Sequence, residues 1–281
     1  MRRSNTILLS LLLMATACSS DDDIVSVESY KIITADIVDD ATRTSLAADG
    51  CSVFWSPDDS LSVFLGSKDM NCAVVYGVPD GLRARFIVDD FILGGTAGKD
   101  EGLTNVALYP YDASAELVTI DSVKSRFPSL QRAVVNSIPD YSPMVAAVGN
   151  VSTSSFSFRN VCAFIRFNIT SAVAADLSHI VLISHNKPIA GDVLYHVVAG
   201  VEPHSKVVSN GVNTITLDCN GLSIGSQALV VYMALLPVGF EQNGWSVELF
   251  DKSGSSMNMS LPAFDFERNK LYTLNVNYVP D

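Results

Sequence analysis

Apolar and polar residues alternate over short runs along most of the chain beyond residue 23. The runs are rich in β-branched and aromatic residues and are bounded by Gly, Pro, Asn and Asp, as is typical of half-buried β-strands. A continuously apolar run, ALVVYMALLP (228–237), predicts a central strand that is buried on both faces. The other predicted strands are SVFW (52–55), SLSVFL (60–65), RARFIV (83–88), CAFIRFNIT (162–170), NTITLDC (213–219), WSVELFD (245–251) and LYTLNVNYV (271–279). This pattern predicts an all-β fold built of β-sandwiches.

Long helical periodicity is missing from the sequence. The two helix candidates, residues 97–103 and 172–180, are short, and the second equally suits the start of a strand. Two polar, turn-rich stretches, NSIPDYSP (136–143) and GNVSTSS (149–155), interrupt the pattern near the middle of the chain. We therefore predict two domains, residues 24–150 and residues 151–281.

Residues 1–17 resemble a secretory signal peptide. Two arginines precede an apolar centre at residues 7–14, and the small residues Ala-Thr-Ala (15–17) form a cleavage zone. Cys18 follows directly, which resembles the lipobox of bacterial lipoproteins, where the cysteine is acylated and becomes the new amino terminus. We therefore expect cleavage between Ala17 and Cys18 and lipid attachment, with palmitate among the acyl chains, at Cys18. The alternative is an ordinary signal peptide followed by an incidental cysteine, because alanine stands where the lipobox most often has leucine.

The residues after the cysteine are two serines and three aspartates, so that 18–23 predicts an extended acidic tether. An acidic block in this place resembles the signal that sends lipoproteins to the outer face of the outer membrane in some two-membrane bacteria. Because two or more acyl chains anchor a protein stably, and because the apolar centre is too short to span a bilayer, we expect a lipid-anchored protein at the cell surface.

The charge balance is strongly acidic. The 281 residues include 18 Lys and Arg against 30 Asp and Glu, a net charge of −12, and removal of Arg2 and Arg3 with the signal leaves 16 basic residues against 30 acidic ones. Nucleic acid binding depends on basic side chains that neutralise phosphates. We therefore expect no nucleic acid partner.

A series of landmarks follows the lipobox and the tether in order. The series comprises an extended segment, ATRTSL (41–46), VFWSPDDSLSVF (53–64), FSFRNVCAFIRFNIT (156–170), VYMALLP (231–237) and FERNKLYTLNVNYV (266–279). Together they resemble the fimbrillin family, the subunits of type V pili and their lipoprotein relatives. The resemblance covers nearly the whole chain, although no single landmark is specific. It implies two tandem transthyretin-like β-sandwich domains, surface display, and other pilin subunits as partners.

The family also implies assembly by strand exchange, in which a trypsin-like protease cuts after an arginine, the first strand leaves, and a neighbour's donor strand fills the groove. Arg43, followed by Thr44, matches the cleavage position, and SYKIITADIV (29–38) is apolar enough to fill a groove. The alternative is that Arg43 is an ordinary surface residue. The alternating face of residues 272–278 suits either a last native strand or a donor.

Two motifs raise the possibility of an enzyme. GLSIG (221–225) has the G-x-S-x-G spacing of hydrolase nucleophiles, which requires a strand before the serine and a helix after it. Because the residues after Ser223 continue as a strand, we expect Ser223 in a hairpin loop and no enzyme activity. GGTAGKDEG (94–102) has neither the first glycine nor the Ser or Thr of a phosphate loop. No catalytic residue is therefore assigned.

Metal and cofactor sites are not expected either. The spacing of His179, His185, His196 and His204 makes no familiar zinc pattern, although strands can bring them together, and the paired aspartates lack the spacing of calcium loops. Apart from Cys18, four cysteines allow three disulfide pairings, of which Cys51 with Cys72 and Cys162 with Cys219 stay inside one predicted domain.

Two short stretches, DSL (59–61) and DSV (121–123), resemble the O-glycosylation signal of bacteria that carry this family, which makes Ser60 and Ser122 candidate acceptors. Taken together, we expect a surface lipoprotein that is a structural, tip or anchor subunit of a type V pilus, found in the fimbrium if processed. The alternatives are a non-polymerising β-sandwich that binds host protein or glycan through exposed aromatics such as Tyr109 and Tyr111, and a surface hydrolase.

Overall fold

The chain forms β-strands throughout the part that a computed structural model describes, residues 30–38, 54–66, 69–88, 105–139, 141–148 and 154–280. The strands are β1 (Lys31–Ile37), β2 (Ser60–Leu65), β3 (Met70–Val75), β4 (Arg83–Val88), β5 (Asn105–Tyr109), β6 (Glu116–Thr119), β7 (Ser122–Phe127), β8 (Leu130–Arg132), β9 (Met144–Val148), β10 (Ser155–Asn160), β11 (Ala163–Ser171), β12 (Ala175–Ser184), β13 (Ala190–His196), β14 (His204–Val212), β15 (Thr214–Ile224), β16 (Leu229–Leu235), β17 (Val238–Phe240), β18 (Trp245–Asp251), β19 (Ser256–Leu261), β20 (Phe264–Phe266) and β21 (Leu271–Tyr278). The predicted all-β class is confirmed. Among these residues there is no helix of the length and hydropathy needed to cross a membrane.

Seven strands close into a barrel in the order β1-β10-β9-β5-β2-β3-β4. Alternate residues of each strand point inward, because side chains along a strand alternate between its two faces. The interior is apolar and aromatic, and Trp55 packs edge-on against Phe86, Tyr109 and Phe158 at ring-centroid distances of 5.1, 5.4 and 5.3 Å. This barrel holds β1 between β10 and β4.

A second and larger core lies between three further sheets and also takes in side chains of the barrel strands β2, β5 and β9. Their orders are β16-β11-β21, β19-β18-β12-β15-β8 and β14-β13-β7-β6, and β17 and β20 form a separate pair. The inward faces of these sheets supply the aliphatic and aromatic side chains of the core, in the manner of a β-sandwich.

Strand pairing crosses the predicted domain boundary in both directions. β10 belongs to the barrel of the early strands, whereas β7 pairs with β13 and β8 pairs with β15. The division at residue 150 therefore does not coincide with a division between sheets. Two independently folding domains, 24–150 and 151–281, stay a prediction.

Local strand predictions match closely in several places. SLSVFL, RARFIV and WSVELFD coincide with β2, β4 and β18 residue for residue. The prediction of a strand at SVFW (52–55) is wrong in the part that the structure describes, because Phe54 and Trp55 lie outside the strands. The helix candidate 172–180 is also wrong, since it runs into β12, and the candidate 97–103 lies outside the described residues.

The prediction that 228–237 is a central strand is half right. β16 is buried on nearly every residue, but it lies at the end of its sheet and pairs along one side with β11. Its other edge meets Gln131, whose amide nitrogen donates to the Ala234 carbonyl (2.8 Å) and whose amide oxygen accepts from the Ala234 N–H (2.9 Å). The Gln131 side chain thus takes the place of a neighbouring strand at this point of the edge.

Candidate functional site

β1 fills a channel between β4 and β10, which we call the β1 groove. It runs antiparallel to β4 from Lys31 to Asp36 and parallel to β10 from Thr34 to Ile37. Further backbone hydrogen bonds extend the pairing at its carboxy-terminal end, where the Ile37 N–H donates to the Leu82 carbonyl at 2.9 Å and the Val38 N–H to that of Phe158 at 3.0 Å. β1 is therefore an interior strand that closes the barrel.

From Ile33 onward, the inner face of β1 is apolar. Ile33 and Ala35 are fully buried and Ile37 is nearly so. The floor of the groove on the flanking strands is apolar too, and comprises Ala84, Phe86 and Val88 of β4 with Phe156 and Phe158 of β10. Because burial of one isoleucine stabilises a fold by about 1.5–3 kcal/mol, the inner face holds β1 in place firmly.

The width of the groove varies along its length. Ala35 lies directly opposite Ala84 on one side and beside Phe156 on the other. Because Ala35 is fully buried between these neighbours, a larger side chain in its place would overpack the core. The groove therefore accepts large, small and large apolar side chains in that order.

The outer face of β1 is polar and charged. Asp36 accepts a hydrogen bond from Arg83 Nε at 2.6 Å, and its register position is directly opposite Arg83. Thr34 lies opposite Arg85 in the same way. The hydrogen bond with the Asp36 carboxylate, together with its negative charge, raises the pKa of the Arg83 guanidinium. A shallow cleft of about 460 Å³ lies over these residues.

The predicted processing and lipid sites lie outside the described residues. This applies to Ala17, Cys18, the tether 18–23, Arg43 and Thr44. Arg43 falls between β1 and Phe54, where the described chain resumes beside the barrel. A cut after Arg43 would leave β1 connected to the barrel only by hydrogen bonds and packing.

The carboxy-terminal strand β21 is a native strand of its own sheet. It runs parallel to β11 from Leu271 to Tyr278, and the alternating face predicted from the sequence points toward the core at Val276 and Tyr278. The Tyr278 hydroxyl donates to Asp251 Oδ2 at 3.1 Å, and burial raises its pKa to about 12. Of the two alternatives for this segment, native strand or donor, the structure shows the first.

Ser223 does not have the surroundings of a hydrolase nucleophile. It lies within β15, and not in the hairpin loop expected from the sequence, because the pairing of β15 with β12 extends to Ile224. Its hydroxyl donates to Asp176 Oδ1 at 2.8 Å on the adjacent strand. The chain then enters β16, so the strand–turn–helix arrangement of a nucleophile elbow is not formed here.

Two of the four histidines come together. His196 and His204 are directly opposite on β13 and β14, and their rings stack at 4.4 Å. His179 stacks on Phe250, and His185 contacts the Asn243 carbonyl, so both lie in separate places. In the described part of the chain no three His, Cys, Asp or Glu side chains form a metal-binding group.

Cys162 and Cys219 are buried thiols in this structure, so the pairing of these two that the sequence allows is not formed. Burial raises the pKa of both, that of Cys219 to about 12, so both are inert thiols. Cys51 lies outside the described residues, and its pairing with Cys72 stays a prediction.

The candidate glycosylation sites differ in exposure. Ser122 is 1% exposed, and its hydroxyl contacts Asp121 Oδ1 at 3.1 Å and His196 Nδ1 at 3.0 Å. A side chain buried and bonded in this way has no room for a glycan in the folded protein. Ser60 is half-buried at the start of β2 and stays a prediction.

Of the two aromatics expected to be exposed, Tyr109 is not. Its ring packs on Trp55, and its hydroxyl donates to Asp59 Oδ1 at 3.0 Å. Burial, the largest influence, raises the pKa of the Asp59 carboxyl. Tyr111 is 37% exposed, as expected.

Sequence reasoning identified β1 but missed the residues that receive it, above all Arg83 and Arg85. The signal was present, because KIITADI (31–37) has an acid as its second-to-last residue and RARFIV (83–88) begins with a base, which suits antiparallel pairing with opposite charges across the strands. That signal is too short to be specific without a structure.

Comparison with known proteins gives structural likenesses alone, since neither a protein-family model nor a curated protein matches the chain. A candidate cell adhesion protein from Bacteroides uniformis has 15% identity and a TM-score of 0.49 over 88% of this chain and 93% of its own. A second, from Bacteroides ovatus, has 15% identity and a TM-score of 0.49 over 89% and 92%. The tip fimbrial protein Mfa3 of Porphyromonas gingivalis, with a C-terminal truncation, has 11% identity and a TM-score of 0.35 over 90% and 96%.

These structural neighbours are fimbrial and candidate adhesion proteins. At such identities and TM-scores they say nothing about individual residues.

Proposed function

We propose that this protein is a cell-surface lipoprotein that acts as a structural or accessory subunit of a type V pilus in adhesion. The observation that carries the proposal is β1, an interior strand placed before a candidate cleavage site and held between β4 and β10. The fimbrillin resemblance assigns the first strand the same role, a strand that is cut away and replaced by a donor from another subunit.

The physics of the groove supports strand exchange. Without β1, β4 and β10 each present unpaired backbone N–H and C=O groups, and the aromatic floor that includes Phe86 and Phe156 faces water. An added strand regains the hydrogen-bond ladder and the apolar burial together, which is the basis of strand addition in general. The groove therefore favours a partner that is an extended segment of another pilin subunit.

The anchoring part of the proposal depends on the amino terminus. Acylation of Cys18 and the acidic tether 18–23 would hold the unprocessed protein at the outer membrane. Cleavage after Arg43 would release it from the lipid and place it in the fimbrium.

Mass spectrometry of the amino terminus of protein recovered from cells tests the processing steps. Acylated Cys18 is expected on the anchored form and Thr44 on the processed form. An Arg43→Ala variant, which keeps every residue of β1, is the matched control and is expected to lack the Thr44 terminus. An unacylated amino terminus near residue 18 together with no cut near residue 43 would contradict the proposal.

Assembly is tested separately with purified protein treated with a trypsin-like protease. Oligomers that resist denaturant are expected once a subunit with a matching donor strand is added, because each exchanged strand completes a hydrogen-bonded barrel. A cut chain that keeps β1 and stays monomeric with every pilin of the same bacterium would count decisively against exchange.

A ligand-binding role without polymerisation is a second candidate. It is favoured by a cleft of about 660 Å³ beside the barrel, where the exposed ring of Phe54 lies near Asp58 and Ser137. An exposed aromatic ring beside polar groups suits stacking on a sugar. A Phe54→Ala variant that loses binding to a glycan array, while the uncut protein stays monomeric, would support this role.

A further inference from the structure

We infer that the β1 groove selects its donor strand by an acidic residue on the outer face as well as by apolar residues on the inner face, and that the donor is not β21 of a second copy. The inference rests on the proposed strand exchange. It names Arg83 as the specificity-determining residue and a strand of a different subunit as the partner.

The outer-face selection follows from the charges around the groove. Arg83 and Arg85 project from the same face of β4, and Asp36 of β1 lies against Arg83 at 2.6 Å. On the other flank, β10 offers the hydroxyls of Ser155 and Ser157 to this face, and Arg159, beyond the residues paired with β1, is already paired with Glu202 at 2.5 Å. When β1 leaves, the rim of the groove loses the carboxylate of Asp36 and keeps the guanidinium groups of Arg83 and Arg85.

The carboxylate of Asp80 also lies near this rim and contributes to its net charge. Asp80 exchanges backbone hydrogen bonds with Arg83 and lines the same cleft, so it offsets one of the two positive charges. One net positive charge therefore remains over the vacated groove. A donor with an acidic side chain opposite Arg83 restores the balance, whereas a lysine there adds repulsion.

The inner face sets a second condition. The sequence of side chains that the groove accepts is Ile33, Ala35 and Ile37, with the small residue between the rings of β10 and Ala84. A matching donor therefore has five consecutive residues like residues 33–37: an apolar residue, any residue, a small residue, an acidic residue and a second apolar residue. A large side chain in the middle position would overlap the floor of the groove.

β21 meets neither condition. Its inward residues, 272, 274, 276 and 278, are Tyr, Leu, Val and Tyr, with no small residue among them, and its outward residues Thr273, Asn275 and Asn277 carry no charge. Because both faces mismatch, a second copy of this chain is a poor donor through β21. The groove is therefore built for a different subunit, which favours an accessory position over a homopolymeric stalk.

A strand-replacement assay on the full chain tests the inference. A site for a sequence-specific protease replaces residues 41–46, the chain is cut, and a fluorescent peptide of residues 29–38 is exchanged into the groove. Unlabelled competitors are the same peptide, its Asp36→Lys and Ala35→Leu variants, and a peptide of residues 270–279. The concentration that displaces half of the label is measured at low and high salt.

The Asp36→Lys peptide is expected to compete about fivefold less well than the natural peptide at low salt, and the difference shrinks at high salt because exposed charge pairs are screened. The Arg83→Glu protein is expected to reverse the order of these two peptides, whereas Arg132→Glu, a matched change on an exposed residue of β8, leaves it unchanged. The Ala35→Leu and 270–279 peptides are expected to be at least tenfold weaker.

Equal competition by the natural and Asp36→Lys peptides, or strong competition by the 270–279 peptide, would overturn the inference while strand exchange itself stands. Failure of every peptide to enter the groove would overturn strand exchange and the inference with it. As a check independent of exchange, a double-mutant cycle on the uncut chain with Asp36→Lys and Arg83→Glu is expected to show that the paired reversal restores the thermal midpoint lost by each single change.

Discussion

The first and last described strands, β1 and β21, are placed alike but held differently. Each runs parallel to one of two consecutive strands, β1 beside β10 and β21 beside β11. β1 is paired on both sides and closes a barrel, whereas β21 ends a three-stranded sheet and in the described residues pairs along one side. Loss of β1 opens a strand-shaped gap with two free edges, and loss of β21 only moves the edge of a sheet.

Position in the sheet, more than strand length or apolar content, decides how many neighbours each of these two strands pairs with. β21 has 8 residues and β1 has 7, and β21 contributes the buried side chains of Val276 and Tyr278 to the larger core. Of these two strands, only β1 leaves a gap that is bordered by a strand on each side.

The largest expected effect concerns the inner face of β1. Ile33→Ala is expected to destabilise the protein by about 2–5 kcal/mol, because it leaves a cavity beside Phe86 in a closed core. Urea unfolding measures the change. Ile32→Ala, on the outer face with a 36% exposed side chain, is the control and is expected to change stability little. Equal effects of the two would show that β1 does not close the barrel.

A smaller effect is expected at the far edge of the sheet that contains β21. Gln131→Leu removes both hydrogen bonds to Ala234 and leaves a buried backbone N–H and C=O without partners, at a cost of about 1–3 kcal/mol. Chemical denaturation measures it, with Leu130→Ala on an exposed neighbour as the control. A neutral Gln131→Leu would mean that the edge of β16 is protected in another way.

The hydroxyl that fastens β21 is expected to contribute less. Tyr278→Phe keeps the buried ring and removes the hydrogen bonds to Asp251 and the Ser255 carbonyl, for a loss of about 1 kcal/mol. Thermal unfolding measures the loss, and Tyr272→Phe serves as a comparison on the same strand. A Tyr278→Phe protein with unchanged stability would show that packing alone holds β21.

The smallest effect concerns pH. The hydrogen bond from Ser253, with others from Ser255 and Tyr278, lowers the pKa of Asp251 below its ordinary value. Because the folded pKa is below the unfolded one, Asp251 stabilises the fold above about pH 4, and this contribution is lost as the pH falls through the folded pKa. The difference in denaturation midpoint between the wild type and Asp251→Asn is therefore expected to shrink from pH 7 to pH 2.5. A constant difference would contradict it.

The sequence by itself determined the local elements and their faces. β2, β4 and β18 follow the alternation residue for residue, because one buried face per strand imposes a period of two. Where the alternation fails, as in the uniformly apolar β16, the sequence indicated burial but not how the unpaired edge is satisfied, which the side chain of Gln131 does at Ala234.

Only the tertiary structure decided which strands meet. Asp36 and Arg83 are 47 residues apart, and the placement of β1 between β4 and β10 depends on pairing across long connections that short patterns do not specify. The same holds for β7 and β8, which the sequence assigned to one half of the chain and which pair with strands of the other. Alternation sets which side chains face inward, whereas the neighbour is chosen by complementarity of whole edges, and that choice made β1 an interior strand of the barrel.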